Sequence, residues 1–320
     1  MNGGEKDMRI GIDIGGTKII GGIVERKGKV EITHRLPTGG KEGYRRVRER
    51  AIELINTILR ESGVSRNEIK RIGIAAAGQI DKNSGTIIFS PNLGWHNAPL
   101  KKDMEKIFDA EVVIENDVNA ATFGEWKFGL KERSRNVIGV FVGTGIGGGI
   151  IIDGRIYRGF SNVGGEIGHM IINPHGYRCN CGNSGCFEAY CGGSYIVERV
   201  RKSIYEGYRG KIWDLIEGNV DKLHTGHIEE AYLLEDTLCK SIWGEAIEYM
   251  GAGLASLVNL FNPEIIVMGG GVINGSKQLI EDACTVMKKR AMKASLKDVR
   301  VERARHGDNA AIMGVAFIDV

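Results

Sequence analysis

A chain of 320 residues with 42% hydrophobic side chains is long enough for two cored domains and too apolar for disorder. Its formal net charge of +3, with acids and bases interleaved, argues against a nucleic-acid-coating surface, and six cysteines, three of them between 179 and 186, are too clustered for a disulfide framework. The longest apolar run, Val137 to Ile152, is repeatedly broken by glycine, and residues 1–8 lack the apolar core of a secretion signal, so the expected setting is a reducing cytoplasm with no membrane contact.

Apolar runs on either side of Gly15-Gly16-Thr17-Lys18 predict a β-hairpin from Met8 to Glu25. Gly11 and Gly16 have the spacing of a G-x-x-x-x-G-K-[ST] phosphate loop, but Thr17-Lys18 reverses its last pair and strand rather than helix follows. Helical spacing of Val47, Ala51, Leu54, Ile55 and Ile58 predicts a helix over Tyr44 to Glu61. Arg71 to Ala76 reads as a short strand ending at Gly78, and Val112 to Ile114 as another running into Glu115-Asn116-Asp117. A helix is expected to start at Asp117 and continue through Ala120, Ala121 and Trp126.

Gly143-Thr144-Gly145-Ile146-Gly147-Gly148 satisfies G-x-G-x-x-G, yet a strand follows where a dinucleotide fingerprint must open a helix. The stretch instead resembles the first hairpin. Shifted by 128 positions, Ile10, Gly11, Gly15, Gly21 and Ile23 fall on Ile138, Gly139, Gly143, Gly149 and Ile151. This predicts an internally duplicated α/β protein, each half opening on a hairpin with a glycine turn. Such turns, with the Thr17 and Thr144 hydroxyls beside them, bring backbone N–H groups to a polyanion without a Cβ in the way; a nucleotide phosphate chain between two lobes is the natural ligand.

Residues 166 to 188 concentrate the chain's metal-binding chemistry. Cys179, Cys181 and Cys186 supply three thiolates in a C-x-C-x4-C spacing, and His169 lies close enough upstream to complete a tetrahedron, the donor set of structural zinc. His175 is a rival fourth ligand, but Pro174 and Gly176 place it at a turn tip. A closed three-Cys, one-His site is structural rather than catalytic, and it would fix the flanking Glu166 and Glu188 in space. Cys191, Cys239 and Cys284 read as ordinary thiols.

A largely helical region follows from Ser194 to Asn262, with breaks near Gly207 to Gly210 and His224 to Gly226. Ala246 to Phe261 is long enough for a buried helix that Pro263 stops. Glu264 to Met268 reads as a buried strand entering Gly269-Gly270-Gly271, the kind of strand-to-glycine turn at which α/β proteins bind ligands. A strand near Val299 to Arg303 and a helix from Asn309 to Phe317 close the chain.

Taken together, Asp13 to Lys18, Pro91-Asn92-Leu93-Gly94-Trp95, Glu115 to Ala121, Gly143 to Gly149, Glu166-Ile167-Gly168-His169, the Cys179 to Glu188 knot and Asn262-Pro263-Glu264 leading to Gly269-Gly270-Gly271 resemble the sugar kinases of the ROK family, most of all its glucokinases, from Gly11 to Gly314. One departure is Ala77, where the family often has proline before Gly78; a small change in that turn is expected. The resemblance implies an α/β, two-lobed, actin-like ATPase fold of the sugar kinase/Hsp70/actin type, with internally duplicated domains and a structural zinc loop over 169–186. It implies a small lobe of residues 1–117, completed by the C-terminal helix at about 304–320, and a large lobe of 118–303.

The resemblance also implies roles. Asp117 would be the general base for a sugar hydroxyl attacking the γ-phosphate. Gly78, Asn92, Asn116, Asp117, Glu166, His169 and Glu188 would hold the sugar, and His169, Cys179, Cys181 and Cys186 the Zn2+. Asp13 would orient the Mg2+ of Mg-ATP. Gly15, Gly16, Thr17, Lys18, Gly143, Thr144 and Gly145 would hold phosphates, with Gly269, Gly270 and Gly271 near the adenosine. The expected activity is ATP-dependent phosphorylation of glucose at its 6-hydroxyl; N-acetylglucosamine, N-acetylmannosamine, mannose and fructose are alternatives. The expected assembly is a homodimer or homotetramer. The family also contains sugar-responsive repressors with an added N-terminal helix-turn-helix domain. Here the phosphate hairpin begins by residue 9 and net charge is small, so a DNA-binding role is disfavoured.

Overall fold

The structure, a computed structural model, describes residues 8–81 and 83–319, so the expectation of no secretion signal at the extreme N-terminus lies largely outside the described residues. The chain forms two compact units: one of residues 1–135, 149–165 and 304–320, the other of 136–148 and 166–303. Position 117, the expected lobe boundary, lies inside the first unit, at the start of a helix. Among the described residues no helix is long and apolar enough to cross a membrane.

In the first unit, β1 (Met8–Ile14) and β2 (Lys18–Glu25) form the expected hairpin, with Ile14 opposite Ile19. β3 (Val30–Pro37), which no apolar run predicts, extends the hairpin on its outer side. Helix α1 (Tyr44–Ser62) buries Val47, Ala51, Leu54, Ile55 and Ile58, the stripe that predicted it, and ends on Gly63 at φ 68°, the left-handed C-terminal stop that glycine adopts without strain. Next come β4 (Ile69–Ala76), a small antiparallel sheet of β5 (Gln79–Ile80), β6 (Ile87–Ser90) and β7 (Trp95–Ala98), helix α2 (Leu100–Glu105), and β8 (Glu111–Asn116). β4 runs parallel to both β1 and β8, giving the order β3-β2-β1-β4-β8. β8 leads directly into α3 (Asp117–Gly124), which continues as one π-helical turn over Glu125–Gly129.

In the second unit, β9 (Val137–Val142) is followed by β10 (Ile146–Ile152), whose last residues belong to the first unit and pair there with β11 (Arg155–Ile156). A run of helices follows: α4 (Phe187–Cys191), α5 (Gly193–Tyr205), α6 (Lys211–Leu215), α7 (Thr225–Leu233) and α8 (Thr237–Phe261). Helix α8 starts nine residues before the apolar segment at Ala246, because buried Asp236 caps it by accepting from Cys239 N–H at 3.0 Å. Asn262 at φ 43° and Pro263 end it. Strand β12 (Ile265–Gly269), α9 (Gly271–Gly275), α10 (Leu279–Arg290), α11 (Lys293–Leu296) and β13 (Arg300–Arg303) complete the unit. β12 lies parallel between β9 and β13.

The final helix, α12 (Asn309–Phe317), returns to the first unit. Four glycines make room for it. A Cβ at Gly11 or Gly73 would overlap the backbone of Ile312 or Val315, and one at Gly124 or Gly314 would overlap the carbonyl oxygen of Ala310 or Ala120. Gly11 therefore serves close packing of α12 on β1, and Gly124 and Gly314 let α3 and α12 meet backbone to backbone.

Candidate functional site

The first unit gathers the Gly15–Lys18 turn, Asp13, Gly78, Asn92 and the Asn116–Asp117 corner. Gly15 N–H donates to Lys18 O at 3.0 Å, and buried Thr38 fastens the turn from outside, its hydroxyl on Gly15 O at 2.7 Å and its N–H on Thr17 O at 2.9 Å. Gly16 and Thr17 are exposed; a Cβ on Gly16 would come no closer than 3.7 Å to Asn92. Asn92 is exposed beside them. Lys18 forms an ion pair with Asp308 at 2.7 Å, a partner no sequence motif had singled out.

Asp13 projects from β1 with a buried Oδ1 that lacks a hydrogen-bond partner. Burial, reinforced by the negative charge of Asp117 and opposed by Lys18, pushes its carboxyl from the ordinary 3.8 up to about 7, with Asp308 adding a further upward push. An orphaned buried carboxylate oxygen with two other carboxylates in electrostatic reach is a donor set that suits a hard, oxygen-loving cation such as Mg2+.

The strand-to-helix corner divides its labour between neighbours. Asn116, extended at φ −62° and ψ 140°, is the N-cap of α3: its Oδ1 accepts from Val118 N–H at 3.0 Å and Asn119 N–H at 3.1 Å, while its Nδ2 donates to Gly78 O at 3.4 Å. Asp117 occupies the first helical position, with Oδ1 3.0 Å from Val118 N. Asn116 is therefore the residue that caps α3, and Asp117 adds one bond to the Val118 N–H of the first turn. Gly78 is required where it stands, because its φ is +134° and a Cβ would press on Phe89 O and Ser90.

In the second unit, Gly143 donates to Gly145 O at 3.0 Å, and the N-terminus of α5 grips the turn: Gly193 N–H reaches Gly143 O at 2.8 Å, while Ser194 N–H and Oγ reach Thr144 O at 3.0 and 2.8 Å. A Cβ on Gly143 would meet nothing within 4 Å, so the glycine leaves open space at the turn. β12 delivers Gly269 opposite Phe141, and Gly270, at φ 90°, packs against Val142 where a Cβ would clash. Gly143–Gly145 and Gly269–Gly271 therefore lie together at one end of neighbouring strands.

The cysteine loop folds as a tight knot. His169, Cys179, Cys181 and Cys186 each present a donor atom, and these four atoms lie within 4.8 Å of one another. His175 is not among them; it sits on an exposed turn with its N–H on Asn173 Oδ1. Gly182 and Gly185 take positive φ, and Cys179 N–H closes the loop on Asn183 O at 2.8 Å. The thiols are electrostatically unequal. The Asn183 N–H, aided by the other thiols and by His169, brings Cys181 down to about 7 against opposing desolvation, whereas burial pushes Cys186 up to about 12 and raises Cys179. Three sulfurs and one imidazole nitrogen in this geometry fit a four-coordinate soft-to-borderline cation.

Glu166 is exposed at the start of the short 3-10 turn that carries His169. Glu188 has neighbours on both sides. Its Oε1 accepts from Cys179 Sγ at 3.1 Å and from Tyr195 OH at 3.4 Å, and its Oε2 accepts from Ile146 N–H, beside the glycine turn, at 3.2 Å.

Comparison with known proteins decides the family. The ROK family profile matches residues 9–319. The chain belongs to the ROK family. It is 34% identical over 312 residues to a glucokinase of Streptomyces coelicolor, covering 97% of this chain and 96% of that protein. The crystal structure of a ROK family glucokinase from Streptomyces griseus in complex with glucose and AMPPNP superposes with a TM-score of 0.82 at 31% identity, over 97% of this chain and 98% of that one. A xylose repressor of Caldicellulosiruptor bescii is 32% identical over 264 residues, 82% of this chain and 65% of that protein. The fold is thus that of ROK sugar kinases, with mixed α/β sheets consistent with the actin-like ATPase class.

Within this ROK chain, three residues join the site that sequence motifs had left out. Asp308 pairs with Lys18, and Tyr195 accepts from Asn180 N–H at 3.0 Å in the cysteine loop. Arg158 bonds buried Glu115 at 2.7 Å, one residue before the Asn116 cap. Each contact spans too much sequence for a local pattern to reveal it.

Proposed function

We propose that this ROK protein is an ATP-dependent hexose kinase acting on the 6-hydroxyl, with glucose as its best acceptor. The observation that carries the reading is Asp117 at the first position of α3, its capping duty taken by Asn116, and within electrostatic reach of the orphaned carboxylate of Asp13. Asp117 takes the proton of the acceptor hydroxyl as that oxygen attacks the γ-phosphorus. The bond to the bridging oxygen of the β-phosphate breaks, and ADP departs. A positioned carboxylate base contributes about 10²- to 10⁴-fold, the remainder coming from alignment and charge stabilisation.

Gly15, Gly16, Thr17 and Lys18, together with Gly143, Thr144 and Gly145, contact the phosphates; Gly269 to Gly271 border the adenosine. Gly78, Asn92, Asn116, Glu166, His169 and Glu188 orient the hexose. Asp13 would hold Mg2+ directly or through water, and the cation would neutralise charge on the phosphates. His169, Cys179, Cys181 and Cys186 would hold Zn2+, which would stabilise the loop carrying Glu188 and perform no bond chemistry. The open Gly143 turn and the likeness to glucokinases over nearly the whole chain support a kinase over a regulator.

A coupled ADP-release assay across glucose, mannose, fructose and the N-acetylated hexosamines tests the reading. Turnover on glucose is expected to lead; activity on none of them would sink it. Asp117→Ala should abolish turnover while the protein still binds the sugar.

A further inference from the structure

The Asn116–Asp117 corner is held from behind by a buried charge whose partner no motif announced. Glu115, at the end of β8, is 1% exposed. A carboxylate so far from water persists as an anion only when it is paired and hydrogen-bonded. Its Oε2 accepts from Arg158 Nε at 2.7 Å, and its Oε1 accepts from the Asn116 N–H at 2.9 Å and from Asn119 Nδ2 at 3.1 Å. One carboxylate therefore clasps both the cap residue and the first turn of α3, with Asp117 between them.

Arg158 is itself anchored. It follows β11, donates through a second guanidinium nitrogen to Asp319 O at 2.9 Å, and its carbonyl accepts from Gly164 N–H at 2.9 Å, closing the loop. Asn162 in the same loop donates from Nδ2 to Ile80 O at 2.9 Å, two residues beyond Gly78, whose carbonyl receives the Asn116 amide. The loop 158–164 thus fastens at two points around the corner, one of them behind the Asp117 backbone and the other beside Gly78.

We propose that Arg158 is a positioning residue for phosphoryl transfer, acting through Glu115 to hold the backbone of Asn116 and Asp117 in the orientation that proton abstraction requires. The inference rests on the reading of Asp117 as the base. Without the guanidinium, the buried Glu115 carboxylate loses its 2.7 Å partner and must turn to find another. That turn loosens its hold on the Asn116 N–H and the Asn119 amide. Misplacing a reacting group by about 1 Å costs on the order of 10²-fold in rate, whereas the nucleotide turns are fastened by other contacts.

The test uses Arg158→Met, Arg158→Lys, Glu115→Gln and the Arg158→Met/Glu115→Gln double variant in the full chain, with Asp117→Asn in parallel. Glucose-binding stoichiometry, measured by calorimetry, counts folded sites, and kcat is expressed per such site. Arg158→Met is expected to lower kcat by roughly 10- to 100-fold, with KM for ATP within about twofold of wild type. Arg158→Lys should recover part of the loss, since an ammonium restores charge but not the planar fork. The double variant should be no worse than Arg158→Met alone, the non-additivity expected of residues acting as one unit. If kcat per folded site stays within about twofold of wild type in Arg158→Met while Asp117→Asn is inactive, the pair is a fold tie and the proposal is wrong. Near-normal turnover of Asp117→Asn would instead remove the underlying reading of the base.

Discussion

Asp13→Asn should make the metal-free protein more stable and catalytically poorer. The folded chain raises the Asp13 carboxyl from 3.8 to about 7, chiefly by burial and secondarily through the charge of Asp117. Below pH 3.8 the folded and unfolded chains both hold the proton, and Asp13 contributes nothing to pH dependence. Between 3.8 and about 7 the unfolded chain has released it and the folded chain retains it, so folding stability falls as pH rises. Above 7 the full penalty applies. At ~1.4 kcal/mol for each tenfold change in proton affinity, it amounts to roughly 4 kcal/mol, part of which belongs to the repulsion with Asp117 and Asp308. Asparagine has no charge to desolvate. Urea unfolding in EDTA at pH 5 and pH 8, followed by a probe in the first unit, should show wild type losing stability over that interval relative to Asp13→Asn. With m values of about 1–3 kcal/mol/M, the midpoint at pH 8 should move by on the order of 1 M. Added Mg2+ should raise wild-type stability at pH 8 and leave the variant little changed. Equal pH dependence in the two proteins would refute the reasoning.

Cys181→Ser should lose bound metal and lower the melting temperature, since a structural zinc site contributes folding energy directly; elemental analysis of the wild type showing no metal would remove the premise. Gly314→Ala places a methyl group onto the Ala120 carbonyl oxygen, where backbone cannot yield. It should destabilise the first unit by about 1–3 kcal/mol, read as a lower thermal midpoint, whereas Gly244→Ala, where a Cβ meets nothing within 4 Å, should not. Asp308→Asn frees Lys18 from its 2.7 Å ion pair and should raise KM for ATP several-fold with a smaller change in hexose affinity; an unchanged KM would mean that Lys18 needs no such anchor.

How much of this was legible depended on how locally each feature is encoded. Helix α1 could be read because its buried stripe repeats within one segment, and the hairpins because apolar runs flank glycine turns. The 128-residue shift lays β1 and β2 almost residue for residue over β9 and β10. Strand β3 escaped because it is half exposed, with side chains alternating between partly buried and exposed and none fully inside, and β5 to β7 are too short to show a period. Gly11 was visible as a conspicuous glycine, but its reason lay 301 residues away in the backbone of Ile312. The site divides in the same way. Motifs located Asp117, the glycine turns and the cysteine loop, whereas the supports of those groups, Glu115 with Arg158 and Lys18 with Asp308, are pairs 43 and 290 residues apart.

The cysteine loop shows what the side-chain contacts add to a motif. From sequence, a metal there would only hold Glu188 steady. In the structure Glu188 is shared: one oxygen takes the Cys179 thiol and the Tyr195 hydroxyl, and the other takes Ile146 N–H at the glycine turn. A Cβ at position 145 would push the Glu188 carboxylate out of this contact. As a metal ligand Cys179 would be a thiolate and would no longer donate to Glu188. The carboxylate must then lean more on Tyr195 and Ile146 or turn to a hydroxylated ligand. If Glu188 grips the sugar and the loop holds a metal, as proposed, metal occupancy, acceptor binding and the shape of the Gly143–Ile146 turn would draw on the same two oxygens.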